Sequence, residues 1–97
     1  MTIDTEIAAF VTEIQAMLED HFSKTYKLVP TPTIRLDQGR RYARIVVDGS
    51  AFGFVDRTNG NILKAASWKA PAEHARGNVL RSDRMNSVTP YGVVYLR

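Results

Sequence analysis

The stretch Arg41 to Ala65, RYARIVVDGSAFGFVDRTNGNILKA, decides the fold. Short runs rich in Ile, Val and Phe are cut at Asp48-Gly49-Ser50 and again at Thr58-Asn59-Gly60. Gly and Asn enter positive φ at little steric cost, so each cut reads as a hairpin turn between antiparallel strands. The runs between the cuts are too short for helices and carry the β-branched and aromatic residues that suit a pleated surface. They predict strands over Arg41–Val47, Ala51–Val55 and Asn61–Ala65. A further strand, Thr33–Leu36, joins them upstream through Asp37-Gln38-Gly39. Three hairpins in series make an antiparallel meander, one face of which can be apolar and take a helix.

Upstream the period changes from two to 3.6. Ile3, Ile7, Phe10, Val11, Ile14, Met17, Leu18 and Phe22 recur at steps of three and four, which predicts an amphipathic helix. Thr2 or Asp4 can cap it, and Asp4 and Glu6 sit in the first turn, where the helix dipole favours negative charge. Pro30 and Pro32 impose an extended connector before the first strand. Downstream, Pro71 and Gly77 stand in the order that opens and closes a helix, so a short second helix is expected over residues 71–76. Asn78–Ser87 reads as a loose basic stretch and Tyr91–Leu96 as another strand. The predicted fold is α+β: an N-terminal amphipathic helix packed on a four- to five-stranded antiparallel meander, with the short second helix near 71–76, in one domain spanning 1–97.

Composition narrows the function. The chain has no cysteine and two histidines, His21 and His74, so disulfides, thiolate nucleophiles and zinc sites built on Cys or His fall away. No Asp/Glu cluster resembles a calcium loop, and Gly49, Gly53 and Gly60 fit neither the dinucleotide nor the P-loop spacing, so neither metal nor cofactor is expected. No apolar run approaches the roughly 20 residues needed to span a bilayer. Asp4 and Glu6 stand where a signal peptide would be basic, which reads as cytoplasmic.

Charge is divided along the chain. Residues 1–23 carry a net −5, while residues 24–97 carry all 13 Lys and Arg and a net +8. Nine of the bases are Arg, whose planar fork suits phosphate and stacks on aromatic rings.

The run Phe52–Asn78, with its Lys64-Ala65-Ala66-Ser67-Trp68-Lys69-Ala70-Pro71-Ala72 segment followed by His74-Ala75-Arg76-Gly77-Asn78, resembles small uncharacterised bacteriophage proteins. The resemblance covers under a third of the chain, implies a phage-like origin and attaches no activity. Glu73 stands where that pattern leads us to expect a basic residue.

Two readings of function follow. In the first, the chain is a small module binding single-stranded DNA or RNA, with Tyr42 and Trp68 stacking on bases and Arg44, Arg57, Lys64, Lys69, Arg76, Arg81 and Arg84 on phosphates; Arg35 and Arg41 belong to the same basic set. Alternation puts Tyr42 and Arg44 on one face near Phe52 or Phe54. The bland alternative for Trp68 is packing in the core or at the hinge between strand and helix. In the second reading the module docks on a protein partner or self-associates, the acidic helix meeting basic surface across subunits or an open sheet edge pairing between chains. An enzyme is not expected: Ser67 and Glu73 near His74 do not form triad-like spacing, and His21 reads as a packing residue.

Overall fold

A computed structural model describes residues 2–25 and 30–94. Helix α1 (Ile3–Thr25) opens at Thr2, whose hydroxyl oxygen accepts the Thr5 amide proton at 3.2 Å. Thr2 is thus the cap, and Asp4 is left for another partner. Ile7, Phe10, Ile14 and Leu18 form one stripe at helical spacing and are fully buried. The helix outlasts its apolar pattern by three residues: the Ser23 hydroxyl donates to the Asp20 carbonyl, and Lys24 pairs with Asp20 one turn back.

Strands β1 (Ile34–Gln38), β2 (Tyr42–Val47), β3 (Ser50–Asp56), β4 (Asn61–Ala65) and β5 (Pro71–Asn78) form one sheet in sequence order, each antiparallel to the next. The β2–β3 turn is the two-residue Asp48-Gly49, with φ of 50° and 80°. Positive φ at both positions makes the hairpin whose twist matches that of its strands. The Asp48 carboxylate also accepts the Thr33 amide proton at 2.8 Å, fixing where the connector enters β1.

A bulge separates the pairs Ile45–Gly53 and Val46–Ala51, leaving Phe52 as the extra residue. Its ring therefore joins the helix-side core, while Phe54 pairs with Arg44 on the opposite face. That core brings the α1 stripe together with Ala43, Ile45, Phe52, Val55 and Ile62 of the sheet and Val79, Val88 and Val93 of the C-terminal segment.

The expected helix over 71–76 is not formed. Those residues belong to β5, the last strand of the meander. Six residues whose apolar members are only alanines gain too little to nucleate a helix. As a strand they satisfy the ladder of β4, which would otherwise be an unpaired edge carrying the buried Ile62 and Leu63. Pro71 is tolerated because it is the first residue of an edge strand, and two register shifts absorb the irregular composition.

The C-terminal segment returns across the helix-side face through a 3₁₀ turn (Arg84–Ser87) and the small pair β6 (Val88–Thr89) and β7 (Gly92–Val93). The expected tail strand Tyr91–Leu96 is realised as Gly92–Val93, paired locally with β6; Tyr95 and Leu96 lie outside the described residues. Val93 seats over Gly53, where an added Cβ would fall 2.4 Å from Val93 Cγ2. Among the described residues, no helix is long and apolar enough to cross a membrane.

Candidate nucleic-acid interface

The face of the sheet opposite α1 carries a cluster that unites several of the residues expected at an interface. Register partners Asp37, Arg44, Phe54, Leu63 and Ala75 make a continuous row across all five strands. Two residues along, Tyr42 pairs with Asp56 and sets its ring edge-on to Phe54, 6.3 Å between centroids at 82°. The sequence offered Phe52 or Phe54 as the aromatic neighbour, and the bulge selects Phe54.

Trp68 is placed by Arg44. The β4–β5 loop is closed by the Ala66 and Ser67 amides, which donate to the Ala70 carbonyl at 3.0 and 3.1 Å. Arg44 reaches up from the sheet, donates from Nη1 to the Trp68 carbonyl at 3.1 Å and lays its guanidinium 4.0 Å from the indole centroid. The core-packing alternative for Trp68 is therefore corrected: the residue is 39% exposed and lies outside the helix-side core, its ring on a charged support. A guanidinium over an indole is a favourable quadrupole contact that holds the ring without burying it.

Arg41 lies 5.1 Å from the Tyr42 ring centroid, so each of the two accessible rings has a guanidinium against it. Beside them is an open depression of about 320 Å³, bordered by Arg40, Arg41, Tyr42, Arg44, Phe54 and Lys69. A second depression of similar size shares Arg41 and Tyr42 and continues past Leu63 toward Pro71 and Glu73. The result is a shallow trough with aromatic floor and cationic rim. Glu73, which the sequence flagged, sits at its acidic end.

Besides Glu73, which forms no ion pair among the described residues, two carboxylates pair with the arginines of this face. Asp37 receives Arg35 at 3.0 Å and Arg44 at 3.1 Å, and these guanidinium hydrogen bonds, Arg35's foremost, hold its carboxyl below the usual range. Asp56 is nearly buried, which alone would raise its pKa. Bonds from the Thr58 hydroxyl and amide and from Arg41 outweigh that, and the carboxyl is held low. Five cations, Arg35, Arg40, Arg41, Arg44 and Lys69, thus face Asp37 and Asp56.

The nine bases do not gather into one zone. Tyr42, Arg44, Trp68 and Lys69 meet on the outer face. Arg57 instead grips Asp4 at the start of α1, at 2.8 Å, and the Gly39 carbonyl. Lys64 points to the helix side and donates to the Val93 carbonyl. Arg84 is nearly enclosed between Glu6 and Glu13 of α1. Arg76 and Arg81 line a separate depression beside β5, where Arg81 is held by Asp83. Arg97 lies outside the described residues. The acidic helix and basic remainder meet within the chain, one of the arrangements their opposite charge allows, and free positive surface is reduced accordingly. Which residues pair could not be read from spacing, because pairs such as Arg84–Glu6 span 78 positions.

His74 is exposed on β5 and accepts, through its carbonyl, a hydrogen bond from Arg76. Among the described residues, no group of three or more His, Cys, Asp or Glu is placed to hold a metal ion.

Comparison with known proteins adds a family and no activity. The model of a family of unknown function, DUF7717, matches residues 1–90, and the chain belongs to that family. Neither the curated proteins nor the solved structures give a match.

Proposed function

We propose that this family member is a small binding module, not an enzyme, and that it holds single-stranded nucleic acid on the outer face of its sheet. The observation that carries the reading is the Arg44–Trp68 contact, which presents an indole on a fixed cationic support beside Tyr42 and Lys69. Single strands are bound by such combinations: bases stack on aromatic rings and guanidinium planes, and cations follow the backbone. A single-stranded backbone can lie in a trough this shallow. The resemblance of Phe52–Asn78 to small bacteriophage proteins supports a phage-like origin, and we place the activity in the cytoplasm.

The internal ion pairs set the expected strength. With five cations facing two carboxylates, about three phosphates are neutralised, so log K should fall with log salt at a slope of roughly −2 for a single strand. That is about a 20-fold loss of affinity between 50 and 200 mM salt. Had all nine cations in the basic set been available, the slope would be roughly −6. The test is an anisotropy titration of a labelled single-stranded oligonucleotide across that salt range, with the fluorescence of Trp68, the single tryptophan, as second readout. Quenching with a slope near −2 is expected. No binding at 50 mM salt to single-stranded DNA or RNA would remove the reading.

One observation favours docking between chains as a second reading: β1 and β5 end the strand order, so each has one side without a strand neighbour in the sheet. Sedimentation that shows only monomer at high concentration would eliminate self-pairing.

A further inference from the structure

Arg76, like Arg57, Arg81 and Arg84, lies off the outer face, but unlike them it has no ion pair among the described residues. It borders a depression of about 630 Å³ between β5 and the 3₁₀ turn. One of its terminal nitrogens donates to the His74 carbonyl, while Nε is buried and has no hydrogen-bond partner. No carboxylate among the described residues forms an ion pair with it. A buried charged donor without an acceptor costs on the order of 1–3 kcal/mol, so the position is unfavourable unless something supplies an oxygen.

The rest of the wall is polar and partly uncommitted. The Asn78 carboxamide is fully engaged: its nitrogen donates to the Asn59 carbonyl and to Asn61 Oδ1, and its oxygen accepts the Leu80 amide proton. That leaves the Asn61 amide nitrogen and both ends of the Asn86 carboxamide without hydrogen-bond partners among the described residues. Asp83 also lines the depression, but both of its oxygens are taken by Arg81, at 3.0 and 3.2 Å. The local charge therefore belongs to Arg76. Gly77 keeps the wall thin: a Cβ there would lie 2.8 Å from Ser87 Oγ.

We propose that this depression binds a phosphate monoester with a polar body, of mononucleotide size, with Arg76 as its anion contact and Asn61 and Asn86 reading the body. The volume falls within the range of small-ligand sites, and an Arg fork offers paired donors to a phosphate in a way an isolated amide does not. On binding, Arg76 exchanges its His74 contact for the phosphate oxygens, which also satisfies Nε. The site shares Asn61 and Ala75 with the edge of the trough, but Arg76 and Asn86 border only this depression, and the proposal does not rest on the nucleic-acid reading.

The experiment is a two-dimensional ¹H–¹⁵N NMR titration of the intact protein with adenosine 5′-monophosphate, adenosine and inorganic phosphate. Adenosine 5′-monophosphate should shift the Arg76 Nε–H, Gly77 amide and Asn86 side-chain signals, with adenosine and inorganic phosphate each much weaker. Arg76→Met should weaken binding about tenfold or more, the measure of one charge-assisted hydrogen bond. Asn86→Ala should weaken it less, and Trp68→Ala should leave it unchanged. The assignment is overturned by an absence of shifts at millimolar nucleotide, by equal affinity for adenosine or inorganic phosphate, or by wild-type affinity in a folded Arg76→Met.

Discussion

Replacing Arg84 with methionine tests whether the chain's charge asymmetry is internal. Its Nε and Nη2 donate to the two oxygens of Glu13 at 2.8 and 2.5 Å, and Nη1 is shared between Glu6 at 3.1 Å and the Val79 carbonyl at 2.7 Å. The Arg84 side chain is 13% exposed, Glu6 14% and Glu13 40%. Breaking a fully buried pair costs about 3–5 kcal/mol, whereas an exposed pair is worth less than about 1 kcal/mol. Since Glu13 keeps much of its hydration, we expect a loss of about 2–3 kcal/mol, read by urea denaturation at pH 7. In a chain of this length that lowers Tm by roughly 10–20 °C. Methionine preserves much of the apolar stem, so most of the loss comes from stranding the two carboxylates. Adding Glu6→Gln and Glu13→Gln should therefore recover part of it, about 1 kcal/mol. Nucleic-acid affinity per folded molecule should not change, because Arg84 contacts nothing on the outer face. A loss below about 0.5 kcal/mol, or none recovered by the glutamines, would show that the network is not what joins α1 to the C-terminal segment.

Other expectations are more direct. Gly53→Ala should destabilise by about 1–3 kcal/mol through its contact with Val93, and Val93→Ala in the same chain should relieve part of that, both read from urea midpoints. Arg44→Met removes the support of Trp68 and one bond to the loop; Trp68 emission should shift red, fluorescence anisotropy should fall, and oligonucleotide affinity should drop several-fold in titration. Acid should weaken the fold. The carboxyls of Asp4, Glu13 and Asp37 are held low by hydrogen bonds from Arg57, Arg84 and Arg35, so near pH 4 the unfolded chain binds more protons than the native one. Their contribution is full above the ordinary carboxylate range and disappears as pH falls through the native values. Urea midpoints at pH 7, 4 and 3 should decline in that order, less steeply in Arg84→Met.

The meander was legible because its turns are chemical: Asp48, Gly49 and Gly60 supply positive φ locally, and the strands between them need no distant information. The helix was legible for the same reason, four buried positions at helical spacing. Residues 71–76 were not, because Pro71 and Gly77 give the same punctuation to a short helix and to an edge strand. What decides is the ladder of β4, a partner outside the window. Periodicity also placed Tyr42 and Arg44 on one face, but the choice of Phe54 over Phe52 depended on a bulge that alternation does not announce.

The candidate binding face was legible in its residue types and in the shared side of Tyr42 and Arg44, but not in which cations it keeps. A list of cations assumes that each guanidinium meets solvent, yet a chain that places five acids on one helix and its bases on a sheet must bring some of them together when that helix packs. Asp4, Glu6 and Glu13 lie on α1 within reach of Arg57 and Arg84, so these two bases are consumed by folding. The outer face escapes this because α1 covers the opposite side and leaves its arginines only Asp37 and Asp56 to pair with, both contributed by the sheet itself. A helix laid over one face of a meander thus sorts the cations, leaving Arg40, Arg41, Arg44 and Lys69 around the exposed rings and turning Arg57 and Arg84 into ties that hold the helix down.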